Sequence, residues 1–245
     1  MGTDFLFYLL LFIVAFLYAS VGHGGASGYL ALMALYGVAP DVMKPTALLL
    51  NLFVSLISFI QFYRGGHFRW KIFWPLAAAS VPFAFLGGQI NVDADLYKKV
   101  LGILLLIPVM RFFFLNDAGR EEQESNNVLL SMLIGIAIGF LSGLIGIGGG
   151  IILSPVIILL NWTNQKQAAA ISALFIFVNS LAGLAGQVTK GIEFSSDMYM
   201  YVIVAFIGGL GGAYFGAIKF RQSILKKVLA TVLLLAVFKL LFTTA

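Results

Sequence analysis

A chain of 245 residues that is 61% hydrophobic and 10% charged, with a mean hydropathy of +1.02, carries far less charge than the roughly 25% of a soluble domain. Its net charge of +5 is placed at the ends of apolar segments, where it sets membrane orientation and does not form a nucleic-acid surface. With no cysteine, disulfides, thiolate chemistry and Cys-ligated metals are excluded, and the short polar connections leave no room for a soluble catalytic domain, so the chain reads as an all-α polytopic membrane protein.

The first four residues, Met1-Gly2-Thr3-Asp4, place an acid where a signal peptide needs a basic start, so the first apolar run is expected to stay in the mature protein. A spanning helix needs about 20 apolar residues. The run Phe5–Tyr36 is too long for one span and short for two, and it is interrupted at Ser20–Ser27, "SVGHGGAS". Spans are predicted next at Pro45–Tyr63, at Ile72–Ile90, with Pro75 and Pro82 expected to kink it, and at Leu96–Phe114. Asn116–Asn127, "NDAGREEQESNN", reads as a linker.

After the linker the pattern restarts. Val128–Leu160 is a second overlong run, broken by "LIGIGGGI", and Ala168–Val188, Met198–Ile218 and Lys227–Phe242 follow. "VGHGG" at Val21–Gly25 answers "IGIGG" at Ile145–Gly149, and "KKVLGILLLIPV" at Lys98–Val109 answers "KKVLATVLLLAV" at Lys226–Val237. This self-similarity predicts two transmembrane repeats, residues 1–115 and 128–245, joined by the polar linker 116–127.

Basic residues orient the halves. In the first, Arg64, Arg69 and Lys71 follow the second segment; in the second, the cluster Lys219, Arg221, Lys226 and Lys227 comes one loop later. If both clusters face the cytoplasm, the repeats are inverted, and each glycine-broken run must be a hairpin that returns to the face it entered. The expectation is an inverted 5+5 arrangement with glycine-broken helical hairpins at the centre and both termini outside.

Broken backbone in hydrocarbon leaves polar groups unpaired at several kcal/mol each, so it survives where it packs in protein or lines a wet cavity. Paired breaks of this kind form substrate sites in inverted-repeat transporters, and half-helix N-termini suit an anion. The candidate substrate-binding residues are Gly22, His23, Gly24 and Gly25 in the first turn and Gly148, Gly149 and Gly150 in the second, with Asn51, Ser172 and Asn179 from the helices alongside. The glycines alternatively serve close helix packing, and the asparagines interhelical hydrogen bonding. Ser55, Ser58 and Ser80 read as such packing serines. His23 is the one ionisable residue expected deep in the membrane, and a pKa near 6.5 suits proton coupling; a neutral imidazole bonded to a carbonyl would account for it as well. Lys44, Arg111 and Lys239 sit at segment ends and read as snorkelling, with Lys44 a weaker candidate for attracting anions at a vestibule.

Assembled, these motifs resemble the TauE/SafE sulfite exporter family of membrane permeases. The likeness rests on "GHGGASG" and "GIGGGIILSP", each followed by a short apolar helix, and on "ISALFIFVNSLAG". The first repeat departs from it, with Ala26 where the second has Gly150 and Ala31 where the second has Pro155. The resemblance implies a secondary transporter in the cytoplasmic membrane that moves small sulfur-containing oxyanions such as sulfite, thiosulfate or organosulfonates. The residues alone say small anion or polar solute. They also leave open a passive anion channel and the oligomeric state. No metal or cofactor is expected, and an enzyme is disfavoured because there are no paired carboxylates, no HExxH and no Walker lysine after the glycines.

Overall fold

The computed structural model describes residues 5–20, 24–114, 127–192 and 196–218, together with 234, 237 and 238. Among the described residues the chain is helical without a strand: α1 (Phe5–Ser20), α2 (Ala26–Leu35), α3 (Pro40–Arg64), α4 (Trp70–Gln89), α5 (Ala94–Phe114), α6 (Val128–Ile145), α7 (Gly150–Leu159), α8 (Gln165–Val188) and α9 (Ser196–Ile218). Four of them, α3, α4, α6 and α8, are long and apolar enough to cross a bilayer. Large apolar side chains such as Ile13, Phe53, Trp74, Ile103, Leu133 and Ile207 remain exposed, as they do when the surrounding solvent is lipid. This is a multi-pass membrane protein.

Both overlong runs break at their glycines, into α1 and α2 and into α6 and α7. The first pair is a hairpin: the Phe7 ring, two residues into α1, lies 5.0 Å from the ring of Tyr36 just beyond α2, and equally close to Tyr201 at the start of α9. At another end of the molecule Phe59, Tyr63, Phe68, Trp70 and Phe73 cluster around the α3–α4 turn, beside the basic residues Arg64, Arg69 and Lys71. Aromatic rings of this kind settle at the membrane interface.

Helix ends differ from the sequence expectation where polar residues hid the first turn. α3 starts at Pro40 and not at Pro45, because Pro40 occupies the first turn, where no amide partner is lost, and Asp41 faces the positive end of the dipole. α8 starts at Gln165, since the Asn164 side chain accepts from the Gln167 amide. α4 runs through both Pro75 and Pro82. The linker 116–126, Gly22, His23 and nearly all of Lys227–Phe242 lie outside the described residues.

The packing fixes the relative direction of the helices. Gly135, Gly139 and Gly143 of α6 press in turn on the Leu76, Ser80 and Ala84 carbonyls of α4, so these two helices run the same way. Gly208 and Gly212 of α9 press on the carbonyls of Phe12 and Phe16 in α1, another co-directional pair. In both, only glycine admits the partner's backbone so closely. α3 and α8 run in opposite directions: Leu48 meets Gly183, Asn51 bonds Ser180, and Ser55 and Ile176 meet at Gly24. The fourth helix of each half thus lies on the first helix of the other, while the third helices lie on each other at the centre.

Candidate functional site

Both glycine turns deliver a helix N-terminus into the interior. α2 and α7 begin at Gly25 and Gly149, whose φ angles of 94° and 77° are left-handed conformations that strain any side chain. Neither N-cap offers a side-chain acceptor to the first amides, whereas Asn127 and Asn164 cap α6 and α8. Glycine brings no capping side chain of its own to the partial positive charge at either buried helix start.

The two turns close on the same pair of side chains. A Cβ placed on Gly24 would stand 2.9 Å from both Asn51 Oδ1 and Ile176 Cγ2; one on Gly148 would stand 2.6 Å from Asn51 Nδ2 and 2.8 Å from the same Ile176 methyl. Bare backbone is what lets both loops reach the α3–α8 crossing. Around that crossing α3 supplies Asn51 and Ser55, and α8 supplies Ile176 and Ser180. One half supplies an amide where the other supplies a hydrocarbon, so the crossing is polar on one side.

Polar atoms without partners collect here. Asn51 donates through Nδ2 to Ser180 Oγ at 3.2 Å, but Asn51 Oδ1, Ser55 Oγ, Ser142 Oγ and Tyr29 Oη are buried with no hydrogen-bond partner among the described residues. Ser55 adjoins Gly24, Ser142 adjoins Gly149, and the Tyr29 hydroxyl would lie 2.7 Å from a Cβ on Gly25. An unsatisfied buried group costs about 1–3 kcal/mol, so a cluster of them at one place is what a polar ligand site requires.

Of the residues singled out from sequence, Gly24, Gly148 and Asn51 are brought together directly, and Gly25 and Gly149 cap the adjoining helices. Gly150 packs on Ile176 and on the Ser172 carbonyl, at 3.0 Å from its would-be Cβ. The Ser172 hydroxyl itself pairs with Ser154 Oγ at 2.6 Å, tying α7 to α8. Asn179 turns its amide nitrogen back to the Phe175 carbonyl at 2.8 Å and leaves its oxygen without a partner among the described residues. Gly22 and His23 lie outside the described residues. The sequence did not single out Tyr29, Ser142, Ile176 and Ser180, and Ser55, read there as a packing serine, stands beside Gly24 with its hydroxyl unpaired among the described residues. Ser180 is adjacent to the chosen Asn179, and only the α3–α8 register decides between them.

Side chains fill the space between the turns. A cavity of about 280 Å³ opens farther along the same helix pair, at the start of α3 and the end of α8, lined by Lys44, Tyr97, Gln187 and Lys190 among others.

Known proteins match this chain along most of its length. The family model described as Sulfite exporter TauE/SafE matches residues 7–240. A protein of Sinorhizobium fredii named "Probable membrane transporter protein y4hK" is 35% identical over 237 residues, covering 94% of this chain and 95% of the relative. "Probable membrane transporter protein YdhB" of Bacillus subtilis is 26% identical, covering 93% and 94% respectively. "Sulfite exporter TauE/SafE family protein 1" of Arabidopsis thaliana is 28% identical over 98 residues, 38% of this chain and 22% of that protein. No solved structure matches.

Proposed function

The chain belongs to the sulfite exporter TauE/SafE family of membrane transporters, and from that premise we propose that it is a secondary transporter of small sulfur-containing oxyanions, sulfite, thiosulfate or an organosulfonate, working by alternating access across the cytoplasmic membrane. The observation that carries this reading is the convergence of two glycine-started helices on Asn51 and Ile176, amid buried polar atoms that lack partners among the described residues. Amide N–H groups, the Tyr29 and Ser55 hydroxyls and the Asn51 amide bind an oxyanion without burying a full charge, which a membrane interior penalises. Ser172, bonded to Ser154, ties α7 to α8 around the second turn, and the Asn179 amide oxygen on the same helix adds a polar group for the anion.

The division into repeats 1–115 and 128–245 about the linker 116–127 is read as an inverted one. In its favour, α4 runs with α6, α9 runs with α1 and α3 opposes α8, the exchange that a two-fold axis in the membrane plane generates. With Arg64, Arg69 and Lys71 in the cytoplasm, the cavity at Lys44 opens outside. Alternating access then consists of one half rocking on the other, with Asn51 and Ile176 parting to admit the anion and closing behind it. His23, adjoining Gly24, carries a proton with the anion in this reading.

A passive channel needs a continuous path, and the packing of Leu48 on Gly183 and of Ile176 on both turns favours a carrier. The deciding experiment is counterflow in proteoliposomes. Preloaded unlabelled sulfite or sulfoacetate should drive transient accumulation of labelled substrate; flux without counterflow indicates a pore, and no flux for any sulfur oxyanion under either pH gradient overturns the substrate assignment.

A further inference from the structure

We infer that the cavity at the start of α3 is a second oxyanion site, an antechamber that holds the anion one step before the glycine turns; this inference rests on the transport reading above. Two donors line it from opposing helices. Lys44 Nζ reaches the Gly88 and Ile90 carbonyls at the end of α4, both at 3.3 Å, longer than the roughly 2.7–2.9 Å of a good charge-assisted bond. An ammonium has three donors, so these long contacts leave it able to take a better acceptor. Across the cavity Gln187 is only 4% exposed, and its Nε2 has no hydrogen-bond partner among the described residues. Lys190 adds a second cation at the rim and Asp41 a single acid. Lys44 and Lys190 give this space its positive charge, with the orphan Gln187 amide buried in its wall, and the combination suits a small anion.

The site communicates with the turns. Gly146, which ends α6, packs on Lys44, a Cβ there standing 3.1 Å from Lys44 Cγ. Lys44, Leu48 and Asn51 share one face of α3, and Gln187, Gly183 and Ser180 answer them along α8. Leu48, packed against Gly183, lies between Lys44 and Asn51 along this face. An anion passing from the cavity to the turns exchanges Lys44 and Gln187 for Asn51 and the helix amides when that contact opens. The same chemistry suits a lipid phosphate, and the test separates the two.

The cysteine-free chain permits a direct probe. In an Asn91→Cys variant, at an exposed residue lining the cavity, an anionic sulfonatoethyl methanethiosulfonate should react about tenfold faster than its cationic trimethylammonium analogue, and sulfoacetate should slow it, as expected for one charge-assisted contact. Lys44→Gln should abolish that bias and raise the apparent KM for external substrate about tenfold with little change in maximal rate; Gln187→Leu should raise KM likewise. Lys44→Arg should retain the bias, which a folding defect would not. If neither Lys44→Gln nor Gln187→Leu alters bias or KM, the antechamber is refuted. It is refuted in favour of a lipid headgroup if phosphatidylglycerol nanodiscs protect the thiol while sulfoacetate in phosphatidylcholine nanodiscs does not. Protection by sulfoacetate without any sulfur-oxyanion flux sustains the antechamber and overturns the transport reading; normal flux without protection does the reverse.

Discussion

Asn51 is the side chain that both turns share. Replacing it with Leu keeps the volume but removes the donor to Ser180 and the amide oxygen at Gly24. Each lost polar contact is worth about 1–3 kcal/mol, so Asn51→Leu should cut initial uptake at least about tenfold in proteoliposomes while the protein remains folded by thermal melting in detergent. Gly148→Ala acts from the other side. Its φ of 72° disfavours a side chain, and the new methyl would lie 2.6 Å from Asn51 Nδ2, so uptake should fall even though the substitution is small. If His23 carries the proton, an acid-outside gradient should speed uptake by the wild type and not by His23→Asn. A wild-type pH dependence surviving in His23→Asn would remove the histidine from the mechanism.

The α4–α6 and α1–α9 pairs are held by backbone contact at glycines. α9 supplies a controlled comparison within two residues. A Cβ on Gly212 would collide with the Phe16 backbone carbonyl, whereas one on Gly211 would meet only the Phe16 ring at an ordinary 3.4 Å. Gly212→Ala should therefore destabilise by about 1–3 kcal/mol through overpacking, while Gly211→Ala should be neutral or slightly stabilising because alanine is the better helix former. Melting temperatures of the two variants in one detergent check this. Periodicity could not have separated adjacent glycines; which of them faces α1 is decided by how the two halves dock.

For the whole molecule, the inverted reading makes a labelling prediction. Single cysteines at His67, beyond α3, and at Asn91, beyond α4, should react with an impermeant reagent from the cytoplasmic and the external side respectively, and a cysteine at Lys219 should behave like His67. Labelling of His67→Cys and Lys219→Cys from opposite faces would overturn the inversion. What the sequence determined by itself was the membrane environment and the two breaks, because apolar length and glycine clusters are properties of neighbouring residues. Even Asn51 could be picked out as a candidate, since an amide midway along an apolar helix stands out. Tertiary structure alone decided that both turns meet at Asn51 and Ile176, that Ser180 and not Asn179 answers Asn51, that Tyr29 and Ser142 bring orphan hydroxyls to the turns, and that Lys44 and Gln187 line one cavity. Those relations depend on the antiparallel register of α3 and α8 and on close glycine contacts between helices, and such contacts join residues far apart in the chain that no local pattern connects.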